Sequence, residues 1–275
     1  MDRMAATRRL RTTLRDGGTT VGSWMQIPHA SVAEIMGQAG YDWVALDLEH
    51  GAIALQQIPD LCRALELGGT LPLARLAQAN PKDCKQALDA GVAGVIVPMI
   101  ESAEQLIMVR DNCRWPPAGK RGVGFSRANL FGKHFEAYRE EAQEPLLVAM
   151  IEHIRAVENL DAILDVAGLD AVLIGPYDLS ASMGMTAQFD EPRFEETLQQ
   201  IRTLSQQHAV PCGIHVVHPE GEALQKRLAE GYRFIAYSID AVFLTTAAER
   251  PIAGSKPGDG APEHEFRNRH VMEPH

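Results

Sequence analysis

Two short segments hold the side chains best suited to chemistry: Asp47-Leu48-Glu49-His50-Gly51 and Gly175-Pro176-Tyr177-Asp178-Leu179-Ser180. Each follows an apolar run that reads as a buried strand. Carboxylates and an imidazole therefore collect at strand C-termini, the end at which alternating α/β proteins build active sites. Met150-Ile151-Glu152 closes another such run. If Glu152 and Asp178 leave adjacent strands at one rim, their hard oxygen donors suit an octahedral Mg2+ or Mn2+, with room for water and a bidentate substrate. The same residues also fit a plainer pattern, with Asp178 a helix N-cap and Glu152 a solvated strand end.

His50 beside Asp47 and Glu49 suits general-base work, because an imidazole exchanges protons near neutral pH and a carboxylate can fix its tautomer. A histidine bonded to backbone would look alike. Arg75, ending Pro72-Leu73-Ala74-Arg75, either grips a substrate carboxylate or phosphate or pairs with a structural aspartate, since a guanidinium at a barrel mouth is costly to bury alone. Glu101 precedes Ser102-Ala103-Glu104-Gln105, which reads as a capping box. His29, His215 and His218 follow strands, with a structural role favoured. None of Lys82, Lys85, Lys120, Lys133, Lys226 and Lys256 lies on an expected strand, which points away from a Schiff-base amine and towards a metal for carbonyl activation.

The elements that must position these groups recur regularly. Strands are expected at 21–26, 43–47, 71–75, 94–98, 146–151, 170–174, 211–216 and 233–238. Helices are expected at 30–39, 55–68, 82–90, 102–112, 155–166, 191–208, 219–230 and 241–248. His50, Arg75 and Ile100 stand 25 residues apart, and Glu152 and Asp178 stand 26 apart. Eight such units predict an α/β fold, a single-domain (β/α)8 TIM barrel, over residues 1–250 with a short leading helix; a doubly wound open sheet is the alternative. Residues 251–275 form a polar tail rich in Pro and Gly. The long connection from Glu101 to Pro145 suggests a lid or a subunit contact. Its glycines lack the spacing of a dinucleotide fingerprint.

A formal charge of −10 and a pI near 5.5 oppose phosphate backbones, so nucleic acid is not an expected partner. No apolar stretch approaches the roughly 20 residues of a membrane span. The four cysteines lack metal-ribbon or disulfide spacing, which fits a reducing cytoplasm.

In order and spacing these motifs resemble the HpcH/HpaI aldolases, class II enzymes that cleave 2-keto-4-hydroxy acids to pyruvate and an aldehyde; the likeness spans about residues 5 to 250. It implies that Asp47 and His50 are the catalytic dyad, that Arg75 holds the substrate carboxylate and keto oxygen, and that Glu152 and Asp178 bind the divalent metal (Mg2+, Mn2+ or Co2+). It further implies that backbone from Gly175 through Pro176 and Tyr177 to Asp178 receives the pyruvate carboxylate. Asp89 would reach a neighbouring subunit's site in a homo-oligomer, hexamer or trimer. Some members carry Gln where this chain has Met150, which cannot hydrogen-bond a water in that way. That bears on aldehyde preference. The alternatives are a citrate-synthase-like or acyl-CoA lyase-like enzyme on the same apparatus, and a catalytically silent metabolite-binding barrel.

Overall fold

The computed structural model describes residues 1–248; the expected tail at 251–275 lies outside the described residues. The chain enters through α1 (Arg3–Arg15), followed by β1 (Thr20–Met25), α2 (Ala30–Gln38), β2 (Trp43–Asp47), α3 (Ile58–Gly68), β3 (Leu71–Arg75) and α4 (Pro81–Ala90). Next come β4 (Gly94–Val97), α5 (Ala103–Cys113), α6 (Phe135–Glu141), β5 (Leu146–Ile151), α7 (Ile154–Glu158), α8 (Leu160–Leu164), β6 (Ala171–Ile174) and α9 (Pro176–Ser182). The chain continues through α10 (Pro192–Gln207), β7 (Cys212–Val216), α11 (Gly221–Ala229), β8 (Phe234–Ile239) and α12 (Asp240–Ala247). All eight strands are parallel, and β8 pairs with β1 to close a barrel. No helix among the described residues is long and apolar enough to cross a membrane.

The strands are continuous apolar runs because both faces are covered, as parallel sheets require. Outward residues such as Val44, Val95, Ile151 and Ile174 meet the helices, while Trp24, Trp43, Leu73, Ile96, Val148, Leu173 and Phe234 fill the interior. Trp43 stacks on Phe234 with ring centroids 4.4 Å apart. This is possible only because position 22 is glycine, where a Cβ would stand 2.0 Å from the Trp43 ring. Ala6, Leu10 and Leu14 of α1 join the same interior cluster and plug the end at which the strands begin. Each buried leucine there contributes about 2 kcal/mol.

Three local features depart from the expected elements. The single helix expected at 155–166 is broken at Asn159, whose side chain donates to the Glu101 carbonyl at 2.9 Å. The segment after β6 is itself a helix, α9, with Gly175 as its N-cap and Asp178 in the first turn, so Asp178 is not the cap. The Glu101–Pro145 connection is no lid over the carboxylates. Arg127 binds Glu66 in the last turn of α3 and the Gly91 carbonyl just past α4, which ties the connection to the strand-entry end. Arg3 of α1 reinforces it through Glu141 and the Ala128 carbonyl.

The seam between first and last strands carries a β-bulge: Gly22 pairs with Ala236, but Trp24 pairs with Ile239. Within it Ser238 takes φ 56, a left-handed conformation uncommon for a residue with a side chain.

Candidate active site

The strand C-termini surround a pocket of about 300 Å³ whose wall includes His50, Arg75, Glu152 and the turn from Gly175 to Asp178. A larger cavity of about 440 Å³ lies at the opposite end between α1 and the turns around Tyr41 and Gly69. It gathers no comparable set of carboxylates, so the chemistry belongs to the mouth.

Asp47 and Arg75 end adjacent strands in direct register. The Arg75 guanidinium donates from Nε and Nη2 to the two carboxylate oxygens at 2.9 and 2.6 Å. Asp47, fully buried, also accepts the backbone N–H groups of Glu49 and His50, each at 3.1 Å, and the Gln26 amide at 2.8 Å. Burial opposes its charge, but the Arg75 bonds prevail and hold its carboxyl below the usual range. The face of the guanidinium lies 4.5 Å from the Trp24 ring, and its remaining Nη1 points to Glu49 at 3.5 Å.

This geometry corrects the expected pairing of Asp47 with the His50 ring. Asp47 reaches His50 only at the backbone N–H, because Arg75, Gln26 and two amides occupy its lone pairs. The carboxylate facing the exposed His50 ring is Glu49, with Nε2 and Oε2 3.9 Å apart.

Glu152, buried, accepts the Met99 N–H at 2.9 Å. Burial, with Glu49 and Asp178 nearby, pushes its carboxyl up to about 7 despite that bond. Burial likewise raises Glu49, against the pull of Arg75. Gly175 packs so closely that a Cβ there would stand 2.6 Å from Glu152 Oε1. Asp178 is exposed on the facing turn of α9. Among the described residues no three His, Cys, Asp or Glu side chains close around a metal by themselves. The donor set nonetheless fits a hard divalent ion: two carboxylates line one pocket, one of them is destabilised as an anion, and the adjacent Glu49 Oε2 is buried with no hydrogen-bond partner.

The other sequence candidates separate clearly. Asp89 lies half-buried on α4, away from this pocket, with Arg121 at 3.5 Å. Glu101 pairs with Arg155 at 2.8 Å, while its backbone N–H is accepted by the Gln105 side chain. His29 caps α2 by accepting the Ser31 N–H, and His218 is exposed. His215 does line the pocket.

Gln26 and Trp24 belong to the site but escaped the search for ionisable groups. The signal for Gln26 was its place directly after β1, the same position that singled out the strand-end carboxylates. Its loop is anchored from the end of the neighbouring last strand: buried Asp240, directly after β8, accepts the N–H groups of Gln26 and Ile27, each at 2.9 Å.

Residues 20–247 match the family model described as HpcH/HpaI aldolase/citrate lyase. A 2-keto-3-deoxy-L-rhamnonate aldolase of Salmonella gallinarum is 35% identical over 243 residues, which cover 87% of this chain and 90% of the relative. A hydroxypyruvate/pyruvate aldolase of Roseobacter denitrificans is 35% identical over 249 residues, covering 90% and 96%. Among solved structures, an HpcH/HpaI aldolase/citrate lyase family protein from Burkholderia cenocepacia superposes with a TM-score of 0.82 at 29% identity, covering 87% and 95%. With the closed barrel and its carboxylate-lined mouth, these matches establish that the chain belongs to the HpcH/HpaI aldolase/citrate lyase family of carbon–carbon lyases.

Proposed function

We propose that this barrel is a class II aldolase that splits a 2-keto-4-hydroxy acid into pyruvate, or a pyruvate analogue, and an aldehyde, and that joins them in reverse. The observation that carries the reading is that Glu152 and Asp178 line one pocket with Glu49 close beside them, and that Arg75, the guanidinium in its wall, is already bound to Asp47. Such an anionic cluster calls for a cation. Glu152 and Asp178 would hold Mg2+, Mn2+ or Co2+, ions whose ligand demands overlap. When bound, the ion would act as a Lewis acid on the keto oxygen and stabilise negative charge developing there.

The chain's own residues supply the remaining steps. The first-turn amides of Tyr177 and Asp178 have no intrahelical acceptor and would receive the substrate carboxylate beside Gly175 and Pro176. Arg75, fixed by Asp47 and backed by Trp24, would turn its Nη1 edge, which faces Glu49, towards the keto oxygen. His50 would take the proton from the 4-hydroxyl as the C3–C4 bond breaks, leaving the electron pair on C3 and releasing the aldehyde. Return of a proton to C3 completes the ketoacid product.

Asp89 is proposed to act from a neighbouring subunit of a homo-oligomer, hexamer or trimer. The exposed Phe125 and Phe131 on the long connection support a buried contact of that kind. The four cysteines are free and buried, which supports a reducing, cytoplasmic setting.

The test is NMR of pyruvate methyl-proton exchange in D2O. Exchange should require divalent ion and should vanish in Glu152→Gln. Exchange that persists in strong chelator would exclude this mechanism, and CoA-thioester turnover without pyruvate release would favour the citrate-synthase-like or acyl-CoA lyase-like alternative.

A further inference from the structure

Left-handed backbone at a residue with a side chain is costly and persists only where the surroundings hold it, often at functional sites. Met99 is such a residue, at φ 51, two positions beyond the end of β4. The strain has a visible product: the Met99 N–H donates to Glu152 Oε2 at 2.9 Å. The Met99 side chain, by contrast, is exposed and takes no part in the pocket wall. What this residue offers the site is its backbone, not its thioether.

The loop that carries Met99 is also pinned on its outer side. Ile100 is fully buried. Glu101 pairs with Arg155 of α7 at 2.8 Å, and its carbonyl accepts the Asn159 amide at 2.9 Å. The Glu101 N–H is accepted by the Gln105 side chain, also at 2.9 Å. Arg155 and Asn159 follow Glu152 closely in the chain, so the loop after β4 is fastened to the segment after β5 from both sides: inside at Glu152 and outside at Glu101. The break between α7 and α8 at Asn159 acquires a use, since it is Asn159 that reaches the Glu101 carbonyl. On the other flank of the carboxylate, Gly175 stands so close that a Cβ there would meet Oε1 at 2.6 Å. Glu152 is thus confined at both oxygens, by an amide at Oε2 and by a glycine at Oε1.

We infer that Met99 is a positioning residue: its left-handed backbone aims the N–H that fixes the Glu152 carboxylate in the orientation needed to hold a divalent ion, and the clasp of Glu101 with Arg155 and Asn159 maintains that conformation. The inference rests on the reading of Glu152 as a metal ligand. A neighbour that orients a metal-binding carboxylate governs affinity without touching the ion. Because the contact is made by backbone, the side chain at position 99 is dispensable and the N–H and the positive φ are not.

The experiment is calorimetric titration of the ion-free protein with Mn2+, for wild type, Met99→Gly, Met99→Pro, Met99→Ile, Asn159→Ala and, as control, Glu152→Gln, with thermal melts reporting folding. Met99→Gly discards the side chain, keeps the N–H and takes a positive φ without strain, so its Mn2+ affinity should stay within about twofold of wild type. Met99→Pro lacks the N–H and cannot adopt a positive φ. It should bind Mn2+ about tenfold more weakly or worse, the usual scale for a lost partner of a metal ligand. Asn159→Ala, which touches the loop only from outside, should weaken binding by about threefold. If the proline variant does not fold, Met99→Ile, whose β-branched side chain resists left-handed backbone, and Asn159→Ala carry the comparison. Wild-type affinity in a folded Met99→Pro, or in both Met99→Ile and Asn159→Ala, overturns the inference, as does a loss in Met99→Gly equal to that in the other Met99 variants. Mn2+ bound undiminished by Glu152→Gln removes the metal reading and this inference together. Binding that is lost in Glu152→Gln, without pyruvate proton exchange in the loaded wild type, sinks the aldolase reading alone.

Discussion

Asp47 meets Arg75 side-on across neighbouring strands, two parallel hydrogen bonds joining a fully buried carboxylate to a guanidinium that is itself nearly buried. Removing one member of such a pair leaves the other charged and unsolvated, which costs about 3–5 kcal/mol. Arg75→Ala should therefore lose activity and also melt well below wild type, whereas Arg75→Lys should recover part of the stability but little of the turnover, because an ammonium cannot make both bonds. Differential scanning calorimetry with aldol-cleavage kinetics checks this. An alanine variant as stable as wild type would show that the pair is not what holds the strand ends.

Gln26 tests the same network from outside it. Gln26→Leu keeps the volume but removes the amide bond to Asp47, and should slow turnover roughly tenfold while shifting stability by about 1 kcal/mol. Gln26→Glu places a second carboxylate against Asp47 and should be worse than leucine once that carboxyl is ionised, the deficit growing as pH rises. Comparable kinetics for both variants would mean that the amide positions nothing.

Glu152 makes stability depend on pH in a direction unusual for a carboxylate. Its folded-state value, about 7, lies above the ordinary 4.5. The folded protein without divalent ion thus holds this proton more tightly than the unfolded chain. The contribution is fully present below pH 4.5 and is lost as pH rises through 7, a swing on the order of 3 kcal/mol. The ion-free protein should melt progressively lower from pH 5 to 8, Glu152→Gln should lack that slope, and stabilisation by added Mn2+ should grow with pH. A flat melting profile for the ion-free wild type would contradict this.

Gly175 is the least conspicuous member of the site. Gly175→Ala must displace the Glu152 carboxylate, because the new methyl would sit 2.6 Å from Oε1. The expected result is at least a tenfold weaker Mn2+ affinity by calorimetric titration, with the circular dichroism spectrum preserved. Undiminished affinity would show that Glu152 can hold an ion from another rotamer.

For His50, exposed and free of any ring contact closer than 3.9 Å to a carboxylate, substitution by alanine should leave Mn2+ binding intact and cut the cleavage rate by 100-fold or more, the usual scale of a lost general base. Near wild-type kinetics would remove it from the mechanism.

The barrel was legible because parallel strands covered on both faces are uninterrupted apolar runs: the expected 43–47, 71–75 and 146–151 coincide with β2, β3 and β5. Strand-end position alone brought His50, Arg75, Glu152 and Asp178 to one pocket. What stayed hidden depends on contacts distant in sequence. Nothing local reveals that Asp47 spends its lone pairs on Arg75, 28 residues on, rather than on the ring of its neighbour His50. Helix α9 was obscured because its seven residues open on Gly-Pro and are too short for a 3.6-residue period to register. The bulge that puts Ser238 into a left-handed conformation arises from pairing between the first strand and the last, and leaves no mark on either alone.

That pairing has a consequence for biogenesis. The carboxylate of Asp240 latches the loop that carries Gln26, so a residue near the end of the chain sets a residue near its beginning. A chain still leaving the ribosome can assemble much of the cylinder, but it cannot lock the first rim loop until Asp240 has emerged. Competence for catalysis is thereby deferred to the close of synthesis, and prematurely terminated products ending before β8 would be left without it.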